Sequence, residues 1–194
     1  MLAPKYPVGS SHRSMRNRDL AKFLQNAGIG TLLFDLLTLE EEQDERATGH
    51  RRFDVDLLAT RLEIATEWLM SQPRARGRPI GYFGASTGAA AALIAAAERP
   101  NVVAVVSRGG RPDLARDALA QVRTPTLLIV GGDDEPVIEL NHAAMRNMRA
   151  TVELAVVPHA SHLFEEPGTL DQVQRLALDW FTRYMNPKRE SRHG

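Results

Sequence analysis

Short runs of almost uninterrupted apolar residues, each followed by a stretch with helical periodicity, constrain this chain more than any other feature of its sequence. Strands buried on both faces read as continuous apolar runs, and their alternation with helices predicts a parallel sheet covered on two sides. Ile29–Asp35, Ile80–Phe83, Val102–Ser107, Thr126–Val130 and Val152–Val157 fit that description. Between them, Arg16–Asn26 predicts a helix ending at Gly28, where a left-handed cap would sit. Asp54–Ser71 opens on a carboxylate and sets Val55, Leu58, Leu62, Ala65 and Leu69 on one stripe. Ala89–Ala97, Val137–Met148 and Leu170–Met185 complete the helices. Leu36–Arg52 is polar and reads as a surface loop or frayed helix, and Gln72–Pro79 as a solvated connector. No linker divides the 194 residues, so one α/β domain over 1–194 is expected, with a mobile tail over 186–194.

Composition closes several routes. The 24 Lys+Arg balance 24 Asp+Glu, which argues against a nucleic-acid groove or a membrane-surface patch. The chain has no cysteine, hence no disulfide, thiolate metal site or cysteine nucleophile. It shows neither a membrane-spanning apolar run nor an apolar leader, so a cytoplasmic location is expected.

Against that background one motif stands out. Ile80–Phe83 runs into Gly84-Ala85-Ser86-Thr87-Gly88 and then into the alanine-rich helix. This is G-x-S-x-G with a strand before it and a helix after it, the context in which a serine is forced above a sheet on a sharp turn. A chain of this composition would carry the pattern by chance about 0.04 times. The competing reading is a glycine-rich turn that serves close packing alone. In the functional reading Ser86 is the nucleophile, and the Thr87 N–H lies at the positive end of a helix, where an oxyanion would be held.

A hydroxyl becomes an effective nucleophile only when a base takes its proton. His162 follows the strand Val152–Val157, and Asp133 and Asp134 follow Thr126–Val130. Both loops lie at the carboxyl ends of parallel strands, where the ligands of such sheets collect. The order Ser86, Asp134, His162 is that of an α/β-hydrolase triad. Either aspartate would equally serve as a cap for the helix near Val137. His159 reads as a surface residue, and a His159–His162 metal pair lacks a third ligand in the sequence.

Taken together, GASTG, GGDDEPV and PHASHLFEEPG, with SRGGRPDLA between them, resemble the dienelactone-hydrolase-like branch of the α/β-hydrolase superfamily from about Gly9 to Met185. The resemblance implies an α/β-hydrolase-type, mostly parallel sheet with helices on both faces, lacking the usual N-terminal strands. It places the nucleophile on Ser86, the acid on Asp134 through G-x-x-D-x-x-V, and the base on His162. Two departures follow. Dienelactone hydrolases carry a cysteine at the elbow, so Ser86 favours ordinary ester hydrolysis. Residues 1–15 are expected to form an irregular start, and Gly9–Arg18 resembles only the end of an oxyanion loop, with Tyr6-Pro7 in place of the His-Gly of relatives. Pro7 has no N–H, which leaves Val8 or Gly9 as the second oxyanion donor.

The same resemblance implies a central strand, between Ile29–Asp35 and Ile80–Phe83, for which Met1–Val8 is a poor substitute. A gap there favours dimerisation that covers the open edge. The expected activity is hydrolysis of small carboxylic esters with no metal or organic cofactor. The alternatives are a non-catalytic binding or scaffolding domain and an acyltransferase using the same three residues. Arg108 and Arg111 read first as partners of Asp113, Asp117 or a nearby loop, and in the alternative as ligands for a carboxylate or phosphate of the substrate.

Overall fold

The structure is a computed structural model that describes residues 14–185. Its centre is a parallel sheet of four strands in the order β1-β2-β3-β4, comprising β1 (Ile80–Ala85), β2 (Val102–Arg108), β3 (Thr126–Gly131) and β4 (Val152–Val157). Each coincides with an apolar run of the sequence; β1, β2 and β3 extend one or two residues further at their carboxyl ends, and β4 has the bounds of its run. The helices are α1 (Met15–Asn26), α2 (Leu39–Thr48), α3 (Val55–Ser71), α4 (Thr87–Glu98), α5 (Glu135–Asn147) and α6 (Thr169–Met185).

Period-two alternation along β2 divides the interior. Val105 faces a core built with α3 and α4, whereas Ala104 and Val106 face one built with α1 and α6. On the first side, Ala89–Ala92 and Leu93 of α4 are fully buried, and the small side chains let that helix lie close to β1 and β2. On the second side, Val173, Ala177, Trp180 and Phe181 form the apolar stripe of α6. Each large apolar side chain buried in this way contributes about 1.5–3 kcal/mol.

Two local readings hold in detail. The Asp54 carboxylate accepts the Leu57 N–H and caps α3. Gly28 has φ +86 at the end of α1, a conformation open to glycine without steric cost.

Two others are corrected. Ile29–Asp35 is not a strand, although its composition is that of one. A ladder needs a neighbour, and among the described residues β1 pairs on one side with β2 and nothing pairs with Ile29–Asp35. Leu32 and Leu33 are left exposed. Leu36–Arg52 contains the regular helix α2, which polar contacts hold in place of an apolar stripe. Thr38 and Glu41 form a reciprocal capping box, Glu41 pairs with Arg61 of α3, and the buried Glu45 pairs with Arg52. The irregular start expected over 1–15 and the tail expected over 186–194 lie outside the described residues, except that Ser14 is extended and Met15 already opens α1. No described helix is long and apolar enough to cross a membrane.

Candidate active site

The carboxyl ends of β1, β3 and β4 bring three of the expected residues to one edge of the sheet. Ser86, between β1 and α4, has φ 52 and ψ −126. A non-glycine residue held there costs about 1–3 kcal/mol and persists only where its surroundings over-determine it. They do so here. Its N–H donates to the Arg108 carbonyl (3.3 Å), and its carbonyl accepts the N–H groups of Arg111 (3.1 Å) and Ala89 (3.1 Å). Gly84 makes the turn sterically feasible, since a Cβ at that position would stand 2.6 Å from Ala89 Cα and 2.7 Å from Ala89 N.

Asp134 and His162 meet across the loops after β3 and β4, with His162 Nδ1 2.7 Å from Asp134 Oδ2. Asp134 occupies the N-cap position of α5, yet its carboxylate makes no capping bond and is directed to His162 instead. Of the two readings open for this aspartate, the structure selects the histidine partner. Asp133 is exposed. Gly131 lets the two loops touch, because a Cβ there would lie 2.6 Å from the Ser161 carbonyl oxygen. His162 is partly exposed and Asp134 mostly covered, so the pair is shielded on the carboxylate side and open on the imidazole side. No hydrogen bond joins the Ser86 hydroxyl to His162 among the described residues, a common state of sites without substrate.

The remaining expected residues separate. Thr87 is the first residue of α4, directly after Ser86. Val8 and Gly9 lie outside the described residues. Arg111 is held by Asp113 through two hydrogen bonds of 2.8 and 2.7 Å, as the pairing alternative predicts. Arg108 forms no such pair among the described residues. It is 7% exposed, donates from Nη2 to Asn17 Oδ1 of α1 (3.2 Å) and lies over the Phe83 ring at 5.7 Å. Burial, together with the nearby Arg16 cation, lowers its pKa to about 10, so the guanidinium stays charged at neutral pH. His159 is exposed at φ 58, and no group of three potential metal ligands occurs among the described residues.

Three positioning residues escaped the sequence reading. Glu166 accepts the Ser161 N–H (3.0 Å) and braces the His162 loop, a contact that lowers the pKa of its carboxyl. Asn141 of α5 donates to the Gly110 carbonyl (3.1 Å) and ties the loop after β2 to that helix. Asn17 receives Arg108 from across the fold. Glu166 lies near enough in sequence for a local bond to be guessed. Asn17 and Arg108 are 91 residues apart, and no spacing rule joins them.

Comparison with known proteins agrees with this fold. The family model of the dienelactone hydrolase family matches residues 16–186. The chain belongs to that family. A dienelactone hydrolase from Anabaena variabilis superposes with a TM-score of 0.87 at 57% identity, over 91% of this chain and 82% of that one. The esterase domain of a Rhodothermus marinus protein shares the fold at 21% identity, with a TM-score of 0.69 over 90% of this chain and 83% of that one. A Mycobacterium tuberculosis protein with a provisional phosphoribosyl transferase name is 58% identical over 178 residues, which are 91% of this chain and 39% of the relative. The chain thus spans about two fifths of that relative's length. The family and the structural neighbours make this an α/β-hydrolase fold of dienelactone-hydrolase type and support hydrolase chemistry.

Proposed function

We propose that this domain is a serine hydrolase that cleaves carboxylic esters of small substrates through an acyl-enzyme. The observation that carries the reading is the 2.7 Å contact between Asp134 Oδ2 and His162 Nδ1, made at the same sheet edge as a serine held at φ 52. With Nδ1–H donated to Asp134, Nε2 is left as the acceptor that a general base requires.

In the first half-reaction Ser86 Oγ attacks the ester carbonyl carbon and its proton passes to His162 Nε2. The carbonyl oxygen becomes an oxyanion held by the Thr87 N–H at the start of α4, with Val8 or Gly9 as the second donor. The intermediate collapses, the bond to the leaving alcohol breaks, and His162 returns the proton to that alcohol. Water then repeats the sequence on the acyl-enzyme and frees the acid. Asp134 orients the imidazole and stabilises its charged form throughout.

The test is Ser86→Ala. Hydrolysis of a short p-nitrophenyl ester should fall by about 10⁴-fold or more, and labelling by a fluorophosphonate should vanish. Undiminished turnover in that variant would falsify the assignment. A domain that only binds would neither label nor turn over before substitution.

A further inference from the structure

Asn141 is a buried side chain that packing alone does not account for. It lies fully buried on α5, and its Nδ2 donates twice. One bond goes to the Val137 carbonyl one turn back (2.7 Å), the other to the Gly110 carbonyl on the loop after β2 (3.1 Å). Both partners are carbonyl oxygens, so the amide nitrogen has to face them and the orientation of the group is fixed. Its Oδ1 is sealed in the interior with no partner among the described residues. An apolar side chain would fill this place without stranding an acceptor. For packing the asparagine is the costlier choice, and the contact across to Gly110 is what it supplies in return.

That contact reaches the proposed nucleophile in one step. The Gly110 carbonyl and the Arg111 N–H belong to a single peptide unit, and in a trans peptide they point in opposite directions. Asn141 holds the oxygen side, while the nitrogen side donates to the Ser86 carbonyl (3.1 Å). At the other end of the same segment the Arg108 carbonyl accepts the Ser86 N–H (3.3 Å), so residues 108–111 grip both backbone polar groups of Ser86. A hydrogen bond to a carbonyl polarises its peptide and strengthens the bond made by the N–H of that unit. Gly110 is packed closely as well, since a Cβ there would collide with Ser107 Oγ and stand 2.6 Å from Ala89 Cβ.

The same helix carries the proposed acid. Asp134 is the N-cap of α5 and Asn141 follows two turns later, so both lie on one face, about 10 Å apart along the axis. One rigid element thus touches the acid–base pair at its start and the nucleophile's loop further on. We infer that Asn141 is a positioning residue of this active site. Through the Gly110–Arg111 peptide it keeps Ser86 at φ 52, and through α5 it sets how far the serine stands from the Asp134–His162 pair. The inference rests on the esterase reading for what the serine does, though not for how its backbone is held. A strained residue relaxes when the groups that over-determine it are removed, and a displacement of about 1 Å costs about 10²-fold in rate.

The experiment is Asn141→Leu, which fills the site and removes the donor. Fluorophosphonate labelling of Ser86 should still go to completion, with a rate constant lower by about 10–100-fold. A partly unfolded protein would instead lower the end point and leave the rate of the remaining sites unchanged, so the two causes separate. Hydrolysis of p-nitrophenyl butyrate should lose the same factor in kcat/KM, chiefly through kcat. The midpoint of the rise of kcat/KM with pH, which reports the titration of His162, should not move, because the contact with Asp134 is left intact. A labelling rate within about twofold of the parent value overturns the inference. So does a shifted midpoint, which would mean that Asn141 acts by holding Asp134 and not Ser86.

Should Asn141→Leu overpack the site and fail to fold, Asn141→Ala removes the donor without added bulk and is read in the same way. Amide hydrogen exchange separates this inference from the esterase reading. In either variant the Arg111 N–H should exchange about tenfold faster or more, while the amides of β3 and β4 keep their parent rates. Acceleration that spreads to those strands overturns the inference, because it is the mark of a general loosening. Faster exchange confined to the loop, in a protein that neither labels nor hydrolyses esters, keeps the positioning of Ser86 and removes the reaction. Unchanged exchange at Arg111 overturns the positioning role, whereas loss of hydrolysis in Ser86→Ala leaves the reaction standing beside it.

Discussion

Ile29–Asp35 and Thr126–Val130 have nearly the same claim to be strands, and only the second is one. Thr126–Val130 lies between β2 and β4, with hydrogen-bonded neighbours on both sides and every residue buried. Ile29–Asp35 has no ladder among the described residues, and its Leu32 and Leu33 face outwards. Strand propensity measures how well a side chain suits a pleated, half-buried surface, and it has no effect until that surface exists. The same contrast separates the two halves of the molecule. From β1 onwards each element is fixed by its neighbours in the sheet. Before it, α2 is held mainly by its cap and ion pairs, whereas α3 also packs on α4.

Three substitutions sharpen this contrast. The largest effect is expected at Gly84→Ala, in the half where backbones already touch. The added methyl meets Gly88 and Ala89 and displaces Ser86 from its turn, and a displacement of about 1 Å is enough to lower ester hydrolysis by about 10²-fold. Activity near that of the parent protein would show that the elbow tolerates a wider turn than these contacts allow.

A smaller effect belongs to α2. Hydrogen bonding to Arg61 and to the Thr38 N–H lowers the Glu41 carboxyl from 4.5 to about 2. A depressed carboxyl stabilises the fold fully above its unfolded value and loses that contribution as pH falls through its folded value. Glu41→Gln keeps a capping side chain but loses the ion pair with Arg61. Solvent screening holds the expected cost to about 0.5–1 kcal/mol near pH 6, a difference that should shrink between pH 4.5 and about 2. Chemical unfolding at several pH values measures it. A pH-independent difference would mean that the charge on Glu41 contributes nothing.

The smallest effect is expected at Leu32→Gln. Because Leu32 is exposed and unpaired, the change should lie within about 0.5 kcal/mol by the same measurement. A loss of several kcal/mol would show that another strand covers this segment in solution, making it equivalent to Thr126–Val130.

Much of the site was legible beforehand for a definite reason. G-x-S-x-G encodes its own geometry, because the strand, the turn and the helix are consecutive in the chain and Gly84 must be small wherever they meet. Asp134 and His162 could be placed at one edge because parallel strands deliver their carboxyl ends to one side of a sheet. The choice between capping and pairing at Asp134 could not be read, since both uses need the same residue at the same position. Nor could the division between Arg108 and Arg111. Arg111 finds Asp113 two residues away, while Arg108 reaches a helix 91 residues earlier.

The sequence by itself determined what is local and periodic, namely four strands, their helices and a strained serine between glycines. These depend on apolar spacing and on backbone sterics that act within a few residues. Only the tertiary structure decided which runs become strands, which carboxylate turns to the imidazole and which arginine is buried with no acidic partner among the described residues. Those outcomes depend on whether a partner from a distant part of the chain comes within hydrogen-bonding reach, a condition set by the packing of the whole sheet.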